Sequence, residues 1–180
     1  MCSPIAIDHR GNRLVAVTAA TSSELEAVTA LTPCPLALVV LVDSVTGHVL
    51  FGLNTWRREY ELPGGIVEQT EEFIEAARRE LEEETGIHIE ALALVGYAQF
   101  ALTNPIRAEL GAIYRAEASG KQASASDEME HFLWRSPLSE TEHAIAALDD
   151  AIADWAVRIR GESTSTSRTH EEVRDTRGDT

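Results

Sequence analysis

A glycine pair leading into an acidic segment constrains this chain more than any other feature. The segment starts at Gly65, and Glu80, Glu83 and Glu84 occupy positions i, i+3 and i+4 within it. On a helix this spacing places the three carboxylates along one side. Like charges this close repel one another, and a divalent cation that prefers oxygen ligands, Mg²⁺ or Mn²⁺, offsets the repulsion. The sequence therefore predicts a helix that binds a metal through Glu80, Glu83 and Glu84.

The apolar positions of the same segment predict how the helix packs. Phe73, Ala77 and Leu81 are four residues apart, which gives one stripe that faces a core. The three glutamates border this stripe, so we expect them at the edge of a sheltered cleft. Thr70 is the predicted N-cap, and Gly86 is the predicted left-handed residue that ends the helix.

A solvated surface helix is the alternative interpretation of so many charges. Residues 71 to 84 contain seven Glu and two Arg, a net charge of −5. A helix that serves only solubility would interleave Lys with Glu at i+4, and this segment has no Lys. The pattern favours the metal-binding helix.

The segment resembles the signature of the Nudix hydrolases. Every specified position of that signature is matched, by Gly65, Glu71, Arg79, Glu80, Leu81, Glu83, Glu84, Gly86 and Ile87. The resemblance implies that Glu80, Glu83 and Glu84 bind metal together with the backbone carbonyl of Gly64. It also implies that Arg79 orients the acidic cluster, and that Gly65, Glu71 and Gly86 have structural roles in the motif.

Hydrophobic patterning along the chain predicts a mixed α/β fold. The predicted elements are a hairpin over residues 5–17, a short helix within 22–34, strands near 36–42, 48–53, 91–101, 110–118 and 129–135, and a last helix over 138–160. They fit an α/β/α sandwich around a mixed sheet, which the Nudix resemblance also implies, although the pattern alone leaves other α/β arrangements open. The predicted organisation is an N-terminal hairpin and connecting segment at 1–34, a Nudix domain at 35–160 and a disordered polar tail at 161–180.

Composition narrows the classes of partner. The net charge of −15 argues against nucleic-acid polymers and anionic membranes, and the predicted partner is a small phosphorylated nucleotide. No apolar run reaches the ~20 residues that span a bilayer, and the first residues lack a secretion signal. Cys2 and Cys34 are expected to be free thiols in a reducing cytoplasm. A homodimer is a further expectation.

Most candidates for the remaining catalytic and substrate-binding roles lie outside the signature. We select Glu128 as the general base, with Glu109, Asp127, Glu130 or a glutamate of the signature itself as alternatives. Arg57 and Arg58 precede the glycine loop and are predicted to bind phosphate. Tyr60 is predicted to bind substrate by stacking on a base; for Tyr60 and Trp56, packing in the core is the alternative.

The predicted activity is that of an Mg²⁺-dependent pyrophosphohydrolase (Mn²⁺ being the other candidate metal). The expected substrate is a nucleoside diphosphate linked to another moiety, with a nucleoside triphosphate, including oxidised forms, favoured over ADP-ribose or a nucleotide sugar. A Nudix-fold module that senses a nucleotide without cleaving it is the alternative of another class. An isoprenoid diphosphate isomerase would need Cys34 as a reactive thiol in the pocket, which its Pro33-Cys34-Pro35 setting argues against.

Overall fold

The computed structural model describes residues 3–168, with side chains up to residue 159. Nine strands and three helices form in this part of the chain. In chain order they are β1 (Ala6–Ile7), β2 (Arg13–Ala19), α1 (Ser22–Thr29), β3 (Leu36–Asp43), β4 (Val49–Asn54), β5 (Tyr60–Glu61), β6 (Gly64–Ile66), α2 (Phe73–Thr85), β7 (Ala93–Thr103), β8 (Ile106–Ala118), β9 (Met129–Arg135) and α3 (Ala147–Arg168).

All nine strands belong to one mixed sheet. Its main path has the order β1-β2-β7-β8-β3-β4-β5, while β6 pairs with β3 and β9 pairs with β4. The pair β3 and β8 is parallel, in register from Leu36 opposite Gly111 to Asp43 opposite Ala118, and the other pairs are antiparallel. The predicted hairpin forms as β1 and β2, and β2 continues into the sheet by pairing with β7.

The central strand β3 supplies both cores, because successive side chains point to opposite faces of a sheet. Leu38, Val40 and Val42 pack on the face covered by α3, which contributes Ile152 and Ala156. The other face of β3 packs against α1 and α2, in a core that contains Ala37, Val39, Leu41, Leu25, Ala76, Ala77 and Leu81. The predicted α/β/α sandwich around a mixed sheet is confirmed.

Helix α2 begins at Phe73, two residues later than it would with Thr70 as its N-cap. Thr70 has φ of 77° and therefore lies in a turn, so the prediction that it caps the helix was wrong. Glu72 is the N-cap; its N–H donates to Glu75 Oε2 at 3.3 Å, and the N–H of Glu75 donates to the backbone carbonyl of Glu72. The predicted C-terminal end is confirmed, since Gly86 adopts φ of 67° and its N–H donates to the carbonyl of Glu82.

Helix α3 is displaced from its predicted range. It begins at Ala147 rather than near residue 138, because the preceding segment runs alongside β5, where Tyr60 N–H donates to the carbonyl of Ala144. The start of the helix is held by an ion pair between Arg135 Nη1 and Asp150 Oδ1, 2.5 Å apart. The helix continues to Arg168, so it overlaps the first part of the predicted tail. Residues 169–180 of that tail lie outside the described residues.

Candidate active site

A cleft of about 550 Å³ opens where the β5–β6 segment, the acidic helix α2 and the β7–β8 hairpin meet. Its lining combines acidic groups, two arginines and an apolar surface. The residues are Leu36, Leu38, Asn54, Trp56, Arg57, Glu61, Leu62, Gly64, Gly65, Ile66, Glu80, Glu84, Phe100, Leu102, Arg107, Glu109, Glu128, Leu148 and Asp149. The sequence-predicted metal ligands Gly64, Glu80 and Glu84 are therefore brought together in one concave site.

Arg79 organises the carboxylates around this cleft. Its Nε and Nη2 donate to the two oxygens of Glu71, each at 2.9 Å. Its Nη1 donates to Glu80 Oε1 at 2.7 Å and to Glu83 Oε2 at 3.1 Å. The hydrogen bond from Arg79 lowers the pKa of Glu71, and the same contacts, that to Glu71 foremost, raise the pKa of Arg79. The guanidinium is thus a fixed cation among three carboxylates.

Glu84 is the most buried carboxylate of the site, with 4% of its surface exposed. Its Oε2 accepts a hydrogen bond of 2.8 Å from the N–H of Gly64. Burial raises the pKa of Glu84 to about 8, and although that hydrogen bond opposes the shift, the charges of Glu80, Glu61 and Glu128 add to it. Burial also raises the pKa of Glu80, with Arg79 opposing the shift.

The two glycines of the loop allow the helix and the strand to approach closely. A Cβ on Gly65 would lie 2.5 Å from the carboxylate carbon of Glu80. A Cβ on Gly64 would lie 2.4 Å from the backbone oxygen of Ala37, and Gly64 has φ of 149°. Both positions therefore require glycine, the first so that Glu80 can occupy its place and the second because of the neighbouring strand.

The residues of this cleft fit a divalent cation. Burial and the neighbouring carboxylates raise the pKa of Glu84, so a divalent cation would stabilise its charged form, and carboxylate and backbone oxygens suit Mg²⁺ or Mn²⁺. Among the described residues, no three acidic, His or Cys side chains are grouped as ready-made ligands. The reason is that Arg79 holds Glu80 and Glu83, while Glu84 is turned to Gly64, so ligand assembly requires these side chains to turn.

A smaller depression of about 410 Å³ adjoins the cleft along α2. It is lined by Glu80, Glu83, Glu84, Ser126, Asp127 and Glu128. Glu83 belongs to this depression rather than to the cleft, and 62% of its side chain is exposed. Of the four candidates for the general base outside the signature, Glu128 alone lines both concavities. Asp127 lines the depression and Glu109 lies on the β8 side of the cleft.

Two of the predicted substrate-binding residues do not line the cleft. Tyr60 is 9% exposed and packs in the core on the α3 side, where its ring contacts that of His143 at a tilt of 58°, with 5.1 Å between ring centroids. The prediction that it binds substrate was wrong, because β5 points this side chain inward. Arg58 also falls outside the cleft, and it pairs with Glu130, the fourth candidate base.

Arg57 does line the cleft, where buried polar groups hold it in place. Its Nη1 lies 2.5 Å from Glu61 Oε2, and Asn54 Nδ2 donates to the other oxygen of Glu61 at 2.6 Å. Asn54 Oδ1 accepts from the backbone N–H groups of Trp56 and Arg57. The side chain of Trp56 is 70% exposed at the same rim, so it does not pack in the core.

Four polar cleft residues have no counterpart in the sequence predictions of the site: Asn54, Glu61, Arg107 and Asp149. Burial raises the pKa of Asp149 to about 7, and the charge of Glu61 adds to the shift. Its Oδ2 accepts from the N–H of Leu62. Asp149 comes from the first turn of α3, 65 residues after Glu84 in the chain. No local pattern shows that such a residue reaches the cleft.

Fold and cleft together define a class of protein: an α/β/α sandwich with a carboxylate-rich helix beside a glycine loop. A family model for the NUDIX domain matches residues 34–156. The chain therefore belongs to the Nudix hydrolase family. A comparison with curated proteins finds no significant match. No helix in residues 3–168 is both long and apolar enough to cross a membrane.

Solved structures share the fold at low sequence identity. The pyrophosphohydrolase BsRppH of Bacillus subtilis is 20% identical with a TM-score of 0.60, over 89% of this chain and 95% of that one. The NUDIX domain of Shewanella oneidensis NrtR, complexed with ADP ribose, is 17% identical with a TM-score of 0.60, over 78% and 99%. A MutT/nudix family protein of Enterococcus faecalis is 17% identical with a TM-score of 0.58, over 81% and 70%.

Proposed function

We propose that this protein is a metal-dependent pyrophosphohydrolase that cleaves a nucleoside diphosphate linked to another moiety and releases a nucleoside monophosphate. As a Nudix hydrolase it is an enzyme of the class that acts on phosphoanhydride bonds. The observation that carries the proposal is the pairing of buried carboxylates with a glycine loop at the bottom of a cleft. Burial raises the pKa of both Glu80 and Glu84, and a phosphate-bound divalent ion would stabilise their charged forms.

The residues present would divide the chemistry among them. Glu80, Glu83, Glu84 and the carbonyl of Gly64 would hold Mg²⁺ or Mn²⁺, which neutralises phosphate charge and makes a bound water more acidic. Arg79, which is held by Glu71, hydrogen-bonds to both Glu80 and Glu83 and would orient these two carboxylates. Glu128 is proposed to take the proton of the attacking water, because it lines both concavities beside the carboxylates.

The substrate is proposed to enter with its phosphates toward Arg57. The free face of this guanidinium can bind phosphate oxygens, while Leu36, Leu38 and Leu62 give the cleft an apolar surface. Trp56 at the rim is free to stack on a base. A nucleoside triphosphate, including oxidised forms, is the proposed substrate.

ADP-ribose or another nucleotide sugar is the second candidate. It is favoured by the similarity to the Shewanella NUDIX domain that was solved with ADP ribose. The cleft volume of about 550 Å³ is within the usual range for small-molecule sites and accommodates either class of nucleotide.

Turnover assays across nucleoside triphosphates, oxidised nucleoside triphosphates, ADP-ribose and nucleotide sugars, each with Mg²⁺ and with Mn²⁺, test this proposal. We expect a nucleoside monophosphate among the products, identified by chromatography. Tight nucleotide binding without products after long incubation would instead support a nucleotide-sensing module. No turnover of any diphosphate would contradict the enzyme proposal.

Two accompanying proposals concern the setting of the enzyme. A cytoplasmic location is proposed, and the free thiol of Cys34 is consistent with it; burial raises the pKa of this thiol to about 11, which favours its protonated, unreactive form. A homodimer stays a prediction. Light scattering on the purified protein measures the oligomeric state directly.

A further inference from the structure

Two ion pairs in the cleft share one construction. In each, a buried carboxylate holds a guanidinium that is about half exposed. The side chains of Arg57 and Glu61 are 54% and 8% exposed, and those of Arg107 and Glu109 are 46% and 8% exposed. Arg107 Nε donates to Glu109 Oε2 at 2.7 Å. The cleft therefore has a second anchored arginine besides the one already proposed to bind phosphate.

The two pairs approach the cleft from opposite sides of the central strand. Glu109 lies on β8, which pairs with one edge of β3, and Glu61 lies on β5, beyond β4 on the other side. Gly64, beside the proposed metal site, pairs with Leu38 of β3 between them. A substrate held at the glutamates can thus extend toward Arg57 in one direction and toward Arg107 in the other.

The free face of Arg107 has no structural use in the part of the chain that is described. Its one hydrogen bond there goes from Nε to Glu109, which leaves both terminal nitrogens as unused donors. A half-exposed ion pair contributes little to stability, whereas burying the carboxylate of Glu109 has a desolvation cost. This arrangement is understandable if the carboxylate aims the guanidinium at a ligand.

We propose that Arg107 binds a second anionic group of the substrate, beyond the diphosphate that is cleaved. The substrate is then a nucleotide that carries a further phosphate or carboxylate, on the nucleoside or on the linked moiety. Phe100 and Leu102 line the same side of the cleft and offer apolar surface to the sugar or base between the charges. Because Glu109 offsets the charge of Arg107, the group is recognised by hydrogen bonds to the two terminal nitrogens. This inference depends on the proposed function only in assuming that the diphosphate is cleaved; the binding of the second anionic group does not depend on it.

Two matched pairs of substrates test this inference. ADP-ribose and its 2′-phosphate differ by one phosphate on the nucleoside side, and ADP and ATP differ by one on the other side. In at least one pair we expect the more phosphorylated member to have a kcat/KM about 10-fold higher or more, the range of a charge-assisted hydrogen bond. Arg107→Gln should abolish that preference by raising KM, with kcat nearly unchanged.

Arg158→Gln is the control variant, because it removes an exposed arginine of α3 that lies outside the cleft. It should leave the preference intact. Arg107→Lys, with an unchanged melting temperature, should retain part of the preference, since lysine keeps the charge without the planar donor pair. Equal kcat/KM within both pairs in the unsubstituted protein would overturn the proposal. The proposal would also be overturned if Arg107→Gln lowered kcat/KM by the same factor for both members of each pair.

Binding without metal separates this inference from the proposed function. If no diphosphate is hydrolysed, the proposed activity fails, but calorimetry with the same two pairs still measures affinity. A phosphate-dependent affinity that Arg107→Gln removes supports the second anion site. Affinities that do not depend on the added phosphate contradict it.

Discussion

Arg79 and Glu71 are joined by two parallel hydrogen bonds of 2.9 Å, one from Nε and one from Nη2. This pairing fixes the plane of the guanidinium, so that its remaining nitrogen Nη1 faces Glu80 and Glu83. Glu71 also accepts from the backbone N–H of Glu68 and thereby ties the loop before α2 to the helix. Glu71 therefore has a structural role: it connects the loop to the helix, and it affects Glu80 and Glu83 only through Arg79.

Arg79→Lys should reduce activity although it keeps the charge. A lysine cannot form the two parallel bonds to Glu71 and also contact Glu80 and Glu83. We expect kcat/KM to fall about 10- to 100-fold, the usual effect of losing a residue that orients metal ligands. The measurement is the Mg²⁺ dependence of turnover, in which the half-saturating Mg²⁺ concentration should rise. An unchanged Mg²⁺ dependence would show that Arg79 does not position the ligands.

Glu84→Gln and Glu83→Gln should each lower kcat by at least ~10²-fold, the scale of removing one electrostatic stabiliser. Without metal, Glu84→Gln should be at least as stable as the unsubstituted protein, because a neutral amide avoids the cost of ionising a buried carboxyl group beside other carboxylates. Melting temperatures in EDTA and turnover in Mg²⁺ measure the two effects. Glu82→Gln, which is on the same helix but outside the cleft, is the control and should retain turnover. Near-normal turnover of both active-site variants would make the metal assignment wrong.

Gly65→Ala should mainly reduce activity, whereas Gly64→Ala should mainly reduce stability. The methyl group of Gly65→Ala meets the flexible carboxylate end of Glu80, which can move away, so we expect nearly unchanged stability and a kcat at least ~10-fold lower. The methyl group of Gly64→Ala meets the backbone oxygen of Ala37 at 2.4 Å in a backbone conformation that favours glycine. Its main effect should be destabilisation. Urea denaturation and turnover of both variants test the contrast, and similar profiles would contradict it.

Asp149 should make folding stability depend on pH between its unfolded and folded pKa values. The folded pKa is about 7 and the ordinary value is 3.8, so the folded state resists ionisation. Asp149 does not lower the free energy of unfolding below pH ~4. The loss of stability begins as the carboxyl group ionises in the unfolded state, increases as the pH rises toward 7 and is complete above that. The difference in free energy of unfolding between Asp149→Asn and the unsubstituted protein should therefore shift in favour of Asp149→Asn between pH 5 and pH 8. The shift should be on the order of 1–3 kcal/mol. Urea denaturation at both pH values measures the shift, and a pH-independent difference would contradict it.

Ile152→Ala should destabilise the protein by about 2–5 kcal/mol, because this fully buried side chain docks α3 on the sheet. Val157→Ala, at a partly buried position of the same helix, should have a smaller effect. Thermal unfolding of both variants gives the comparison. An effect of Ile152→Ala no larger than that of Val157→Ala would mean that α3 contributes little to the core.

The cleft illustrates which parts of a site can be predicted locally. Glu80, Glu84 and Gly64 were predicted from spacing and from the Nudix resemblance, and they lie together. Tyr60 was predicted to bind substrate, but its inward direction depends on the pairing of β5 with β4 and on the segment before α3. Arg107 was not predicted, because β7 and β8 had to pair and place its side chain across the cleft from Arg57.

By itself, the sequence determined the acidic helix, its glycine end at Gly86, the buried strand β3 and the family, because each is written in spacing along a continuous stretch. Tertiary structure alone decided which distant residues complete the cleft. Asp149 reaches it because α3 docks through Ile152, and Glu109 because β8 pairs in parallel with β3. Such contacts depend on how separate apolar faces pack, and that packing is a property of the whole fold.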